Sequence, residues 1–242
     1  MKNASVDIII PIYNEEKVIE SSVLKLRDFV KKNLPGNRCR IIVADNASTD
    51  KTLSIVKKLS KKYDDVGFDY IPRKGRGIAL RTVWLNSKAD MMCYMDADLS
   101  TELIALPKLV DAMESGYDLV YASRLSPESD TIRSFKRELL SRGYNLWVKM
   151  MLQTKFSDAQ CGFKGITRKR AQEIIPWIKD NDWFFDTEML VLGEKRGYKI
   201  FEIPVKWDED PDTKVKIFRT VYSFLRDVIR LRFDLWFRKG LI

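Results

Sequence analysis

The chain has 242 residues, 45% of them hydrophobic and 32% charged, a balance typical of a soluble globular enzyme with one sizeable core. Histidine is absent, which excludes Ser-His-Asp and Cys-His nucleophilic mechanisms and zinc catalysis through histidine ligands. Lys and Arg (43) outnumber Asp and Glu (34), and the net charge of +9 favours an anionic partner: a nucleotide, a lipid phosphate, an acidic membrane or nucleic acid.

The first half of the chain alternates short apolar runs with amphipathic stretches. Strands are predicted at residues 6–12, 40–44, 67–71, 91–95 and 119–122. Helices are predicted between them, at residues 15–32, 50–62, 77–87 and 102–115. Short strands separated by helices of a dozen or so residues are typical of a doubly wound α/β protein. We therefore expect a mostly parallel central sheet flanked by helices.

The second half does not continue this alternation. A long amphipathic segment spans residues 131–152, and a glycine-containing stretch at 158–167 fits a pair of strands. A helix is predicted at 187–196 and a strand at 199–205. Residues 214–239 are basic and amphipathic, a composition typical of a helix at a membrane surface, although a core-packed helix fits nearly as well.

The cysteines and the apolar runs bear on the compartment. Cys39, Cys93 and Cys161 lie far apart without a CxxC spacing, which argues against a zinc site or a disulfide framework. No apolar run reaches the roughly 20 residues that span a bilayer, and no signal peptide precedes the first strand. The sequence therefore predicts a cytoplasmic protein.

Two carboxylates, Asp96 and Asp98, directly follow the apolar run at 91–95. An Asp-x-Asp triplet arises easily by chance, so its position matters: the carboxyl ends of parallel strands bind ligands in open α/β sheets. Two neighbouring carboxylates repel each other unless a positive charge lies between them, and hard oxygen ligands select Mg²⁺ or Mn²⁺. The sequence predicts a divalent-metal site here; the alternative is a turn whose solvated acids cap the next helix.

Two further groups follow the second and third strands. Asp45 ends its strand, where an acid commonly binds a ribose hydroxyl or a base edge, and its alternative role is to cap the next helix. Residues 73–77 form a basic, glycine-containing turn before a helix, which can hold a diphosphate through backbone N–H groups and Arg76. This turn lacks the complete P-loop and dinucleotide-binding patterns, so by itself it is a weak signal.

A second basic group, Arg124, Arg133 and Arg137, follows the fifth strand. These side chains could form a solvated helix face, as runs of charge usually do. The apolar residues of the same segment favour a phosphate-binding site beside a membrane surface instead.

Several short motifs are spread over nearly the whole chain. In the first half they are PIYNE at 11–15, DNASTD at 45–50, KGRG at 74–77 and DADLS at 96–100. In the second half they are ASR at 122–124, FKRELLSRG at 135–143, DAQCGFK at 158–164 and FDTE at 185–188. In sequence and order, these motifs resemble the family 2 glycosyltransferases of the GT-A fold and, within them, the polyprenyl (dolichyl) phosphate hexose synthases. The later motifs are similar to the dolichyl-phosphate beta-glucosyltransferase branch.

The resemblance implies a GT-A, Rossmann-like catalytic domain over residues 1–212, with a donor-binding part at 1–122 and an acceptor-binding part at 123–212. Residues 213–242 would then form a separate basic amphipathic helix. The implied residues that bind the nucleotide-sugar are Pro11, Tyr13, Glu15, Asp45, Arg76, Asp96 and Lys214. The implied metal ligands are Asp96, Asp98 and Ser100, and Ser100 stands where many lipid mannosyltransferases have Gln. The implied contacts to the acceptor phosphate are Arg124, Arg137 and Ser141.

The reaction implied is direct, inverting transfer of a hexose from UDP-glucose, or alternatively GDP-mannose, to a polyprenyl monophosphate. Mg²⁺ or Mn²⁺ would neutralise the departing diphosphate. The acceptor phosphate is already largely dianionic at neutral pH, so a protein without histidine can run this reaction without a base. The protein would contact the cytoplasmic face of a membrane peripherally, and nucleic acid is not an expected partner.

Two alternative activities stay open at this point, as does a non-catalytic module that binds a nucleotide-sugar or a membrane, against which the intact donor-site carboxylates argue. The acceptor could be a saccharide hydroxyl, in which case a carboxylate such as Asp186 would have to act as the base. The run from Asp96 to Ser100 also superficially matches the DxDxT loop of phosphatases that use an aspartate nucleophile. That loop usually follows the first strand of its fold, whereas here the run follows the fourth.

Overall fold

The computed structural model describes residues 4–132, 134–208, 217–238 and 240. Its strands are β1 (Ser5–Ile12), β2 (Arg38–Asp45), β3 (Val66–Tyr70), β4 (Met91–Met95), β5 (Leu119–Ser123), β6 (Asp130–Ile132), β7 (Phe163–Thr167), β8 (Ile200–Pro204) and β9 (Lys206–Asp208). Its helices are α1 (Ile19–Asn33), α2 (Thr52–Lys62), α3 (Arg76–Asn86), α4 (Ala105–Glu114), α5 (Phe135–Leu152), α6 (Arg168–Ile174), α7 (Phe185–Lys195) and α8 (Ile217–Phe237).

The main sheet of the described residues has seven strands in the order β3-β2-β1-β4-β7-β5-β8. It is parallel except at β7, which pairs antiparallel with β4 and β5. The mostly parallel α/β fold expected from the sequence is therefore confirmed. The chain runs outward from β1 to β2 and β3, and then crosses to β4 on the other side of β1. This reversal creates a crevice at the carboxyl ends of β1 and β4, where sheets of this kind bind ligands.

Helices cover both faces of the sheet because successive strand residues point to opposite sides. Ile8 and Ile10 belong to the apolar cluster that includes residues of α1, α2 and α4. The intervening Ile9 belongs to the cluster that includes residues of α3, α5, α6, α7 and α8. These two buried clusters hold the sheet rigid, so the loops at its carboxyl edge have a fixed base.

The predicted strand pair at 158–167 is wrong. Residues 163–167 form one strand, β7, and the preceding residues form a loop. The reason is local hydrogen bonding: the N–H of Ala159 donates to Asn145 Oδ1, and the N–H of Gln160 donates to Asp158 Oδ1. Side chains therefore take the backbone groups that a second strand would need.

The two amphipathic segments of the second half can also be compared with their predictions. The amphipathic segment predicted from residue 131 becomes helical only at Phe135, because β6 pairs with β9 in a separate two-stranded sheet. Part of helix α8 packs into the core, as one of the two interpretations of the C-terminal segment expects, and contact with a membrane stays a prediction. Its residues Val228 and Leu231 are buried in the core, whereas Phe233 and Trp236 are more than half exposed.

Candidate active site

Arg76 lies at the centre of a charged cluster at the carboxyl edge of the sheet. Its Nη2 donates to Asp96 Oδ1 at 2.8 Å, and its Nη1 lies 3.5 Å from Asp186 Oδ2. Its guanidinium also lies 4.9 Å from the ring centres of both Tyr94 and Trp183. Burial alone would lower the pKa of Arg76, but Asp96, Tyr94 and Asp186 raise it above its ordinary value. This arginine is therefore a permanent positive charge.

Asp186, in the first turn of α7, is held by two buried side chains. The Tyr94 hydroxyl donates to Asp186 Oδ1 at 2.5 Å, and Lys164 Nζ lies 3.7 Å from the same oxygen. Lys164 is fully buried on β7 and also donates to the carbonyl of Cys161 at 2.6 Å. Burial lowers the pKa of Lys164, and Asp186 opposes that shift. Both oxygens of the Asp186 carboxylate thus face positive or donating groups of the protein, and the residue is 1% exposed.

The loop after β4 presents Asp96 and Asp98 at the mouth of the crevice. Asp98 is exposed, and its Oδ1 accepts the N–H of Ser100 at 3.0 Å. The backbone of Gly162 lies against the other carboxylate: a Cβ at this position would be 1.8 Å from Asp96 Oδ2. Only glycine therefore leaves room for the Asp96 side chain in its present place.

The side chains of the same loop are the candidate ligands for a divalent cation. No group of three or more His, Cys, Asp or Glu side chains within the described residues could hold a metal ion. Asp96 and Asp98 are two carboxylates separated by one residue. The negative charge of Asp98 contributes to raising the pKa of Asp96, so a cation between the two carboxylates would relieve their repulsion. Two carboxylates with substrate phosphates and water are a sufficient ligand set for Mg²⁺. The residues present fit an ion that arrives with a diphosphate.

Ser100, the third implied metal ligand, has another partner. Its hydroxyl accepts a hydrogen bond from Trp207 Nε1 at 3.1 Å. Trp207 in turn lies under the guanidinium of Arg124, 5.3 Å from the ring centre. The indole therefore connects the loop of the paired aspartates to the arginine that follows β5.

The carboxyl end of β2 offers an unsatisfied acceptor. Asp45 is fully buried; its Oδ1 accepts the N–H of Ser48 at 2.9 Å, but its Oδ2 has no partner among the described residues. A buried carboxylate oxygen without a donor is costly, and a ligand hydroxyl or N–H would relieve that cost. The alternative capping role falls to Asp50, whose Oδ1 accepts the N–H of Thr52 at the start of α2. Asp45 is left for a ligand.

The first-strand motif lies beside Asp45. Pro11 is opposite Ala44 in the β1–β2 register. The ring of Tyr13 stacks under Lys74, whose Nζ is 3.8 Å from the ring centre. The N–H of Glu15 donates to the Thr52 hydroxyl at 2.9 Å. The structure thus brings the implied donor-binding residues Pro11, Tyr13, Glu15, Asp45, Arg76 and Asp96 to one edge of the sheet.

Arg124 follows β5 and makes a two-pronged ion pair. Its Nε and Nη2 donate to the two carboxylate oxygens of Asp158 at 2.8 and 3.0 Å. Burial would raise the pKa of Asp158, but Arg124 outweighs it and lowers that pKa to about 2. The interaction fixes the guanidinium plane beside the crevice, while the Arg124 side chain stays 14% exposed.

The other implied acceptor residues lie on α5 or outside the described residues. Ser141 is half-buried on α5, and its carbonyl accepts a hydrogen bond from Asn145, which also binds the loop after Asp158. The backbone of Arg137 belongs to α5, but its side chain lies outside the described part of the structure. Arg133 and Lys214 lie entirely outside the described residues.

Comparison with known proteins identifies the family. The profile described as Glycosyl transferase family 2 matches residues 7–175. The chain belongs to this family. It is 34% identical over 235 residues to Glycosyltransferase AglD of Haloferax volcanii, a match that covers 96% of this chain and 38% of that protein. It is 29% identical over 245 residues to the dolichyl-phosphate beta-glucosyltransferase of Dictyostelium discoideum, covering 96% of this chain and 75% of that protein. The human protein of the same name is also 29% identical, with 93% and 75% covered.

Solved structures match the fold of this family 2 chain. Glucosyl-3-phosphoglycerate synthase from Mycobacterium tuberculosis, in complex with UDP, superposes with a TM-score of 0.69 at 19% identity. The match covers 93% of this chain and 80% of that one. The same enzyme was also solved with Mn²⁺, UDP and glucosyl-3-phosphoglycerate, at a TM-score of 0.66.

Replacing Asp158 by asparagine should destabilise this family 2 fold by about 3 kcal/mol at pH 7, because Arg124 would keep a buried charge without its carboxylate partner. The folded pKa of Asp158, about 2, lies below the unfolded value. Its contribution to stability is therefore complete above the unfolded pKa of about 4 and is lost as pH falls toward 2. Urea unfolding of both proteins between pH 7 and pH 3 measures the difference, which should shrink on acidification. A constant difference would show that the ion pair does not cause it.

Proposed function

We propose that this family 2 enzyme transfers a hexose from a nucleotide-sugar, with UDP-glucose favoured, to a polyprenyl or dolichyl monophosphate. The observation that carries the proposal is the pair of arginines around Asp96. Burial raises the pKa of Asp96, and Arg76 and Arg124 both oppose that rise. The diphosphate leaving group and the phosphate acceptor are both anions, and the site offers one fixed arginine for each.

The donor binds along the ends of β1, β2 and β4. Asp45 Oδ2, buried and without a partner among the described residues, accepts a hydrogen bond from the base or ribose. Tyr13, Pro11 and Glu15 form the neighbouring wall of the nucleotide site. Arg76 and the N-terminus of α3 face the diphosphate, whose negative charge a helix N-terminus favours.

Charge neutralisation of the leaving group is the main catalytic requirement. Asp96 and Asp98 would hold Mg²⁺ or Mn²⁺, which would supply positive charge to the departing diphosphate. Arg76 supplements this charge from the protein side, and Asp186, Tyr94 and Lys164 keep it in place. Lys214 is a further candidate contact to the diphosphate, as the family resemblance implies.

The acceptor phosphate attacks without a general base. One of its oxygens bonds to the anomeric carbon while the bond from that carbon to the diphosphate breaks on the opposite face. Since the phosphate is already largely dianionic at neutral pH, it needs orientation by Arg124, Arg137 and Ser141 and loses no proton. The environment of Asp186 supports a phosphate over a hydroxyl acceptor, because its carboxylate is engaged by Tyr94, Lys164 and Arg76.

The names of similar proteins support both the nucleotide-sugar donor and the dolichyl-phosphate acceptor. Several are named dolichyl-phosphate beta-glucosyltransferases, and the chain covers about three quarters of their length. The fold neighbour was solved with UDP and with Mn²⁺.

A membrane surface is the natural place for a lipid acceptor. In the described part of the chain, no helix combines the length and apolar character needed to cross a bilayer. Helices α5 and α8 pack against each other and carry large apolar side chains that are more than half exposed. These are Leu139, Leu146, Met150, Tyr222, Phe233, Trp236 and Phe237. We assign this apolar surface, with the basic residues around it, to contact with the cytoplasmic face of an anionic membrane.

Replacing Phe233 and Trp236 together by glutamate should weaken binding to anionic vesicles by at least about tenfold. The two aromatic rings then no longer transfer from water into the membrane interface. Co-sedimentation with phosphatidylserine-containing vesicles measures this. Glu128→Gln, a change of an exposed side chain outside both helices, is the control and should bind like the parent. Unchanged vesicle binding by the double variant would remove α8 from the membrane contact.

The donor and metal assignments are tested with a panel of UDP- and GDP-sugars and dolichyl phosphate, in Mn²⁺ and in EDTA. We expect the fastest turnover with UDP-glucose and none in EDTA. Faster turnover with GDP-mannose would reassign the donor, and product formed in EDTA would overturn the metal role. Release of phosphate from p-nitrophenyl phosphate without any sugar transfer would instead favour the phosphatase.

A further inference from the structure

The diphosphate-facing turn at Gly75–Gly77 is covered by a loop formed by residues 179–183, which we call the covering loop. The carbonyl of Asn181 accepts the N–H of Ile78 at 3.0 Å. The contact is so close that a Cβ at Gly75 would lie 2.4 Å from the Asn181 oxygen, and one at Gly77 2.8 Å from the Asn181 carbonyl carbon. The covering loop and the turn are therefore in close contact, and Arg76 lies on that turn.

The covering loop is held by hydrogen bonds within it and from neighbouring elements. It packs onto the turn and carries Trp183, whose ring contacts Arg76. Its start is fixed by Glu188, whose Oε2 accepts the N–H groups of Lys179 at 2.6 Å and Asp180 at 3.3 Å. Arg81 adds hydrogen bonds to the carbonyls just before and within it.

Glu188 is itself held from α8. It is 1% exposed on α7, and Arg230 Nη2 donates to its Oε1. Burial raises the pKa of Glu188, and the ion pair with Arg230 opposes that shift. Lys179 of the covering loop also pairs with Asp234, one turn along α8 from Arg230, at 2.7 Å.

A cleft lies between helix α8 and the turn. This cleft of about 510 Å³ is lined by Lys74 and Gly75 on one side and by the covering loop and Arg230 on the others. The contacts described above connect α8 to the turn through the covering loop, both by Arg230 and Glu188 and by the ion pair of Lys179 with Asp234.

We propose that Glu188 and Arg230 are positioning residues that hold the covering loop and, through it, place Arg76 for the diphosphate of the nucleotide-sugar. The inference rests on the proposed function. It gives α8 a role in donor binding in addition to its contact with the membrane, and it assigns that role to two side chains that do not touch substrate.

The test is a double-mutant cycle between Arg230→Met and Arg76→Lys, read as the dissociation constant of UDP in Mn²⁺ and as kcat/KM for transfer. We expect Arg230→Met alone to raise the dissociation constant of UDP about tenfold and to lower kcat/KM about tenfold. Displacement of a supporting group by about 1 Å commonly costs that much or more. In the Arg76→Lys background the same change should cost less than about twofold, because it acts through Arg76. Equal losses in both backgrounds, or no loss in either, would overturn the proposal.

The control is Arg232→Met, which removes the same kind of side chain from the same helix. Arg232 stacks on Trp236, 4.3 Å from its ring centre, and lies about 200° around the helix from Arg230. Its UDP affinity should match that of the parent. If Arg230→Met does not fold, Glu188→Gln is added to it to remove the unpaired buried charge. The double variant then takes the place of Arg230→Met in the cycle.

The two proposals fail in distinguishable ways. A parent protein that binds UDP but transfers no sugar would overturn the proposed reaction, and the cycle would still be read from the dissociation constants. If the Arg76→Lys variant binds UDP as tightly as the parent, the positioning role is overturned, because Arg76 is then not the group that the covering loop positions for the diphosphate.

Discussion

Replacing Asp96 by asparagine is expected to lower kcat/KM for sugar transfer by about a thousandfold. A metal that neutralises a leaving group contributes several kcal/mol to transition-state stabilisation, and about 4 kcal/mol corresponds to that factor. Asparagine keeps the shape of the side chain but removes the charge that pairs with Arg76 and that the proposed metal ion would need. The measurement is the initial rate of transfer from radiolabelled UDP-glucose to dolichyl phosphate in Mn²⁺.

The Asp96→Asn variant should remain folded, because Asp186 stays 3.5 Å from Arg76 and the change removes repulsion with Asp98. Asp64→Asn, a change at an exposed carboxylate between α2 and β3, is the matched control and should transfer sugar at the parental rate. A loss of less than about tenfold in the Asp96 variant would contradict the assignment, since the charge would then matter little to the transition state.

Replacing Gly162 by alanine is expected to lower kcat/KM by about a hundredfold while leaving the free energy of unfolding nearly unchanged. Gly162 does not have a positive φ, so alanine fits the backbone. Its Cβ would nevertheless lie 1.8 Å from Asp96 Oδ2 and 2.5 Å from Asp96 Cγ, so the carboxylate must swing away. This moves the partner of Arg76 and the proposed metal ligand without removing any charge.

Gly36→Ala is the matched control, because a Cβ at Gly36 meets nothing within 4 Å and the residue also lacks a positive φ. Calorimetric titration with UDP and Mn²⁺, together with urea unfolding, separates the two effects of the Gly162 change. Nucleotide affinity and turnover at the parental level would show that the Asp96 carboxylate need not stay where the structure has it.

The fold and the donor edge of the site could be predicted from the sequence because their signals are local. The run at 91–95 matches β4 to the residue, and a parallel α/β sheet brings strand ends together, so Asp45 and Asp96 were expected at one edge. The absence of histidine limits the possible chemistry to carboxylates, basic side chains, hydroxyls or a hard cation.

The supports of these residues could not be predicted because they depend on strand order and helix packing. Lys164 reaches Asp186 only because β7 is inserted antiparallel between β4 and β5, and no periodicity in residues 158–167 encodes that insertion. The pairing of Arg124 with Asp158 joins residues 34 apart in the chain. The link between Glu188 and Arg230 spans 42 residues and depends on how α8 packs on α7. The one available signal was compositional: a lysine inside the apolar run of β7 must have a buried partner.

The most direct test of the proposed reaction is the partition of label between water and organic solvent after radiolabelled UDP-glucose is incubated with the protein, Mn²⁺ and dolichyl phosphate. We predict that label enters the organic phase only when dolichyl phosphate is present and that mild acid then releases glucose from it. Label that appears only in water-soluble saccharides, with or without dolichyl phosphate, would contradict transfer to a lipid phosphate.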